Sequence, residues 1–161
     1  MINAKLYALR DILECGFDAF ITDTDIGFIS DPLPYFDIDG PKGHVIAQTD
    51  TGSSSVYSLD INSGFMYWRS TNDTIDLIWD IITVPLFWHV DQARVNSRMQ
   101  NRSTPFSLLD SYKFPSGNLI NGRYKNGVDT LADAVVAHAN WNSKFGEKET
   151  MLRKMGQWFL D

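Results

Sequence analysis

Two carboxylates one residue apart, Asp23 and Asp25, close the apolar run Phe17 to Ile21. On extended backbone an Asp-x-Asp sends both side chains to the same side. Mg²⁺ and Mn²⁺ take oxygen ligands and keep positions for water and substrate phosphates. One carboxylate can then hold the ion while the other reaches a sugar hydroxyl or a metal-bound water. The tripeptide alone does not decide between a metal site, a helix cap and a solvated turn. The chain repeats it as Asp37-Ile38-Asp39, ahead of Gly40-Pro41 and after no buried strand, and that copy reads as a solvated turn. The strand end strengthens the metal reading for Asp23 and Asp25 without deciding it, because ligands of α/β sheets gather at the carboxyl ends of strands.

Three further blocks offer compatible groups. His138 leaves the apolar run Ala134 to Ala137, and a neutral imidazole is a good Mn²⁺ ligand. Lys144, six residues on, could meet a diphosphate; on this block alone a capping histidine with a surface lysine is the favoured reading. Asn62, Ser63 and Gly64 offer an amide, a hydroxyl and bare backbone for a sugar, or an Asx-type turn that opens a strand. Asp91 and Gln92 could bond a sugar near its reacting carbon, or Asp91 could cap a helix. Trp68, Trp79, Trp88 and Trp158 read as core, His44 and His89 as unremarkable, and Trp141 stays open as a ligand-stacking ring.

The elements that must position these groups follow from hydrophobic spacing. Leu6, Leu9 and Leu13 predict a helix over 3–15, stopped by Gly16. Residues 17–22 read as a strand buried on both faces, and 26–30 as a short extended piece ended by Asp31-Pro32. Strands are expected over 44–50, within 61–70, over 106–114 and within 133–141. Helices are expected over 71–83, 89–101 and 146–158, and loops over 37–43, 51–58 and 124–130. Alternating helices and short apolar strands predict an α/β sheet with helices on its faces.

Bulk composition fits that picture. The chain has 161 residues, 43% hydrophobic, enough for one domain, 1–161, with a real core. An aromatic share of 13% argues against disorder. A net charge of −6 and a pI near 4.9 speak against a nucleic-acid partner. Cys15 is the single cysteine, so neither an intrachain disulfide nor a cysteine-cluster zinc site can form. No apolar run reaches membrane-spanning length, and the N-terminal segment does not read as a signal peptide.

Taken in order, "GFDAFITDTDIGFISDP", "NSGFMYWRST", Asp91-Gln92 and "HANW" followed by a lysine resemble the nucleotide-diphospho-sugar transferase domain. This group of GT-A-type glycosyltransferases includes family 77, the plant cell-wall arabinosyl-, xylosyl- and galactosyltransferases. The resemblance runs from Lys5 to Asp161 and implies a mixed, Rossmann-like sheet flanked by helices. It implies transfer of a sugar from a UDP-sugar to the hydroxyl of a carbohydrate or glycoprotein acceptor, with Mn²⁺ or Mg²⁺ and with retention.

Carried over by position, the resemblance makes Asp25 the direct metal ligand, with Asp23 nearer the ribose or sugar and His138 the third ligand. Lys144 falls at the diphosphate, Asn62-Ser63-Gly64 at the sugar-facing turn, and Asp91 and Gln92 at the acid-amide pair beside the donor sugar. The family domain begins well before Lys5, in a part that holds the first strand and the pocket for the base. A truncated N-terminus is therefore the expectation, and with it an alternative: an inactive carbohydrate-binding or scaffold module. A metal-dependent hydrolase is a weaker third reading. The resemblance points to the Golgi lumen for a eukaryotic relative and to the cytoplasm otherwise.

Overall fold

The computed structural model describes residues 2–36, 43–50, 60–83, 91–125, 132–142 and 144–159. The expectations for the loops at 37–42 and 51–58, for Trp88 and His89, and for most of the 124–130 loop lie outside the described residues.

Helix α1 (Ile2–Glu14) buries Leu6, Leu9 and Leu13, one stripe at three- and four-residue spacing. Gly16 turns the chain at φ +84°, a left-handed conformation that glycine adopts without a Cβ penalty. Strand β1 (Ala19–Thr22) follows and pairs antiparallel with β4 (Ile61–Trp68), Ala19 opposite Trp68 and Thr22 opposite Phe65. On the other side of β4 lies β3 (Val45–Thr49), also antiparallel, with a bulge between Ala47 and Thr49. Strand β5 (Phe106–Leu108) runs parallel to β3 and completes a mixed sheet of order β1-β4-β3-β5.

Alternation along β4 separates two cores. Met66 and Trp68 face a cluster with Leu6, Leu9 and Leu13 and with Leu77, Ile78 and Ile81 of α2 (Asn72–Thr83). Val95 and Met99 of α3 (Asp91–Asn101) close the same cluster. Phe65 and Tyr67 face the opposite side, where Phe20, Phe36 and Phe114 pack ring against ring. That second side is covered by a two-stranded antiparallel sheet, β2 (Ile26–Phe28) with β6 (Val136–His138). Two further helices, α4 (Gly117–Lys125) and α5 (Phe145–Lys154), enclose a third cluster around Ile120, Ala137, Ala139, Met151 and Leu152. The α/β class and the mixed sheet flanked by helices follow from this arrangement.

Four expectations change. The run at 17–22 is not buried on both faces. Phe17 is 69% exposed, the strand starts at Ala19, and β1 is the last strand of its sheet, with β4 as its one partner among the described residues. The strand expected over 106–114 stops at Leu108, because Asp110 turns the chain: its side chain accepts the Tyr112 N–H and its carbonyl the Lys113 and Phe114 N–H groups. Helix α4 stands where the spacing predicts no helix; its two glycines, Gly117 and Gly122, and its weak apolar stripe hide it from a periodicity argument. Helix α5 ends at Lys154 rather than 158, just before Gly156 at φ +65°.

Candidate active site

The end of β1 and the start of β2 carry Asp23 and Asp25, and the end of β6 carries His138. Ile26 lies opposite His138 in the β2–β6 ladder, so Asp25 stands beside the histidine by backbone register. The Ala139 N–H donates to the Asp25 carbonyl and fixes that pairing. One ligand atom from each of Asp23, Asp25 and His138 lies within 4.8 Å of the other two.

The His138 ring is set by its far side. Gln48 donates its Nε2 to the Phe114 carbonyl, which leaves its Oε1 facing His138 Nδ1 at 2.7 Å. Nδ1 therefore carries a proton, as assigned from this network, and in the neutral ring Nε2 presents a lone pair. That Nε2 is buried, lies 3.2 Å from Asp25 Oδ1, and makes no aligned hydrogen bond among the described residues. Two acceptors facing each other at this distance suit a cation between them. Hard carboxylate oxygens with one imidazole are a Mn²⁺- or Mg²⁺-compatible set, so the donor chemistry fits such an ion.

Gly64 makes room for the group. A Cβ there would come 2.8 Å from Asp23 Cγ and 2.9 Å from His138 Cε1. The same residue anchors the first carboxylate's backbone: the Asp23 N–H donates to the Gly64 carbonyl at 2.7 Å.

Two lysines balance the acids. Lys5, on α1, reaches Asp23 at 3.1 Å, Asp91 at 2.7 Å and the Ser63 carbonyl at 3.1 Å. Burial works against its ammonium, but Asp91 and then Asp23 outweigh that and raise its pKa above the ordinary value. Lys148, on α5, meets Asp25 Oδ2 at 2.6 Å. Burial alone would raise the Asp25 pKa; His138 in its charged form and the Lys148 ammonium hold the carboxyl well below the usual range.

Beside this cluster, a network of amides gathers on Asp50, which is 6% exposed. Asn62 and Asn140 donate to its Oδ1 at 2.9 and 2.6 Å, and Gln92 to its Oδ2 at 3.0 Å. Asn62 in turn accepts the Gly64 N–H at 2.7 Å, the Asx-type contact expected of that turn, inside β4. Asp91 accepts the Gln92 N–H at the first residue of α3 while it holds Lys5.

The structure thus brings together Asp23, Asp25, His138, Asn62, Ser63, Gly64, Asp91 and Gln92. It places Lys144 elsewhere: exposed, just before α5, its N–H facing Glu147 Oε2. Trp141 is 61% exposed at φ +61°, a conformation rare for a bulky residue. Of the tryptophans read as core, Trp68 is fully buried, while Trp79 is 42% exposed and donates to Glu14. Trp158 is half-buried and lines a cavity beside the carboxylates. His44 sits 3.4 Å from Asp73.

Sequence reasoning missed Lys5, Lys148, Gln48, Asp50 and Asn140. Two of them had a signal. Lys148 lies one helical turn after Lys144, and Asp50 ends an expected strand as Asp23 does.

A comparison with curated protein sequences returned no match. Solved structures share the fold. The glycosyltransferase GlyE of Streptococcus pneumoniae TIGR4 is similar at TM-score 0.59 and 14% identity, over 97% of this chain and 45% of that one. Its apo form gives TM-score 0.60 and 13% identity, over 97% and 47%. A glycosyltransferase involved in glycosylation of the major capsid of PBCV-1 gives TM-score 0.62 and 13% identity, over 92% and 75%. The chain therefore spans less than half the length of GlyE. A family profile described as nucleotide-diphospho-sugar transferase matches residues 1–152, nearly the whole sequence, and by that match the chain belongs to the nucleotide-diphospho-sugar transferase family.

Proposed function

We propose that this chain is the metal-dependent catalytic part of a glycosyltransferase that moves a sugar from a UDP-sugar to an acceptor hydroxyl with retention. The observation that carries the reading is the convergence of Asp23, Asp25 and His138 from opposite ends of the chain, with an orphaned imidazole nitrogen facing a carboxylate. Those three residues would hold Mn²⁺ or Mg²⁺. Bound there, a divalent ion supplies neutralisation of the charge that builds on a leaving diphosphate.

The other roles belong to protein groups. Lys148 steadies the diphosphate from the α5 side, in the role the resemblance gave to Lys144. Lys5 holds Asp23 and Asp91 in fixed positions and keeps two like charges from repelling each other. Gln92, with its Nε2 engaged by Asp50, is left with its Oε1 for a sugar hydroxyl or for positive charge developing at the anomeric carbon. Asn62, Ser63 and Gly64 form the sugar-facing strand start, and Trp141 offers a ring to the carbohydrate acceptor. As the bond from the anomeric carbon to the diphosphate breaks, a bond to the acceptor oxygen forms, and that oxygen's proton passes to the departing diphosphate.

One observation favours a second reading. Asp23 and Asp25 each already hold an ammonium, the arrangement expected of an inactive module whose site is closed by internal ion pairs. Calorimetric titration separates the two: the enzyme binds UDP only with Mn²⁺ present, and Asp25→Ala abolishes that binding. Unaltered sugar transfer by Asp25→Ala would sink the metal-dependent reading, and no UDP binding by the parent protein would support the inactive module.

A further inference from the structure

A cavity of about 550 Å³ opens beside the carboxylates, within the range of about 300–1,000 Å³ usual for small-molecule sites. Its polar floor is Lys5, Asp23, Thr24, Asp25 and Lys148, and its far wall is aromatic: Phe145, the first residue of α5, and Trp158, past the end of that helix. The two rings meet edge to face, with centroids 5.9 Å apart at 74°. Arg153 lies over the indole at 5.4 Å. Trp158 also packs on the third core cluster, so its ring is held in place, yet its Nε1 is buried and has no acceptor among the described residues. Phe145 is 71% exposed. An open phenylalanine backed by a fixed tryptophan, whose indole already carries Arg153, is a stacking surface at the edge of a charged site.

The direction of the cavity selects the occupant. The expected sugar-facing groups, Asn62, Gln92 and their neighbour Asn140, gather on Asp50, and none of them lines this cavity. A diphosphate held at Asp25 and Lys148 has two ends. With the sugar toward the Asp50 network, the nucleoside extends into the cavity, past the Thr24 hydroxyl and the Asp23 carboxylate, which suit ribose hydroxyls. We propose that Phe145 and Trp158 form a stacking wall for the nucleobase of the donor, an inference that rests on the reading of this site as a nucleotide-sugar site. The resemblance places the base pocket before Lys5, whereas these rings stand at the other end of the sequence. Base–aromatic stacking is sequence-tolerant and substantial, so the wall contributes affinity and leaves the choice of base to other contacts.

The test compares UDP with inorganic pyrophosphate, each titrated calorimetrically with saturating Mn²⁺. Phe145→Ala removes an exposed ring at little cost to the fold. It should weaken UDP about tenfold, as loss of one base–aromatic contact predicts, and leave pyrophosphate within about twofold. Trp158→Phe keeps a ring and should retain most UDP affinity. Equal weakening of both ligands by Phe145→Ala would overturn the proposal, because the ring would then serve the diphosphate or the fold. Unchanged UDP affinity would overturn it too, and a raised acceptor KM in the same variant would assign the wall to the acceptor. In both cases metal-dependent pyrophosphate binding by the parent protein leaves the nucleotide-sugar reading standing. Failure of the parent to bind either ligand removes both.

Discussion

Lys144 stands just before α5 and Lys148 in its first turn, and of the two only Lys148 meets Asp25. If diphosphate recognition follows that ion pair, Lys148→Ala weakens pyrophosphate binding about tenfold, the size of a lost charge-assisted hydrogen bond, while Lys144→Ala changes it less than about twofold. Titration of the two variants side by side reads the difference directly, and the reverse ranking would return the role to Lys144. Gly64 makes a sharper demand. With a Cβ unable to fit between Asp23 and His138, Gly64→Ala should lower Mn²⁺ affinity by about 10–100-fold, the usual effect of disturbing ligand geometry. Near-parental metal affinity in that variant would mean that the two side chains relax freely. At this scale the carboxylates and His138 were legible because each ends an apolar run. Lys5 and Gln48 were not legible, because each acts on a residue far away in sequence, and no spacing rule connects them.

The elements act on the site through their ends. The ends of β3, β4 and β6 and the start of α3 send one side chain each toward a single point: Asp50, Asn62, Asn140 and Gln92. The Ser116 hydroxyl, ahead of α4, adds a bond to the Asp50 carbonyl at 3.1 Å. Asp50→Ala would leave one buried and two half-buried amide donors without their acceptor. It should cost at least about 2 kcal/mol, measured as a lower urea midpoint at unchanged slope. A midpoint within error of the parent would show that water replaces the carboxylate. The long periodic elements, α1, α2 and β4, were readable because packing amplifies a regular stripe. Helix α4 was not, and β5 was read too long, since a buried residue such as Ile120 earns its place through contacts across the fold and leaves little periodic trace.

Over the whole molecule, the proposed ion joins distant parts of the chain. Asp23 and Asp25 follow the first helix and strand, His138 lies near the end of the sequence, and Lys5 and Lys148 tie α1 and α5 to the same acids. An ion bound only by the folded state adds about 2.7 kcal/mol at a hundred times Kd. Saturating Mn²⁺ should therefore raise the thermal midpoint by several degrees, chelator should reverse the shift, and Asp25→Ala should abolish it. An equal shift in that variant would place the ion elsewhere. The overall α/β class was readable from alternating elements, but the antiparallel order of β1, β4 and β3 was not, because pairing partners are chosen by long-range packing. The two-stranded β2–β6 ladder carries a different kind of consequence. It sets Asp25 beside His138 through backbone bonds, which any pair of side chains can make. Geometry held in this way is insensitive to most substitutions around it. A lineage can exchange many of its core and surface residues and still inherit the same spacing between an acid and an imidazole.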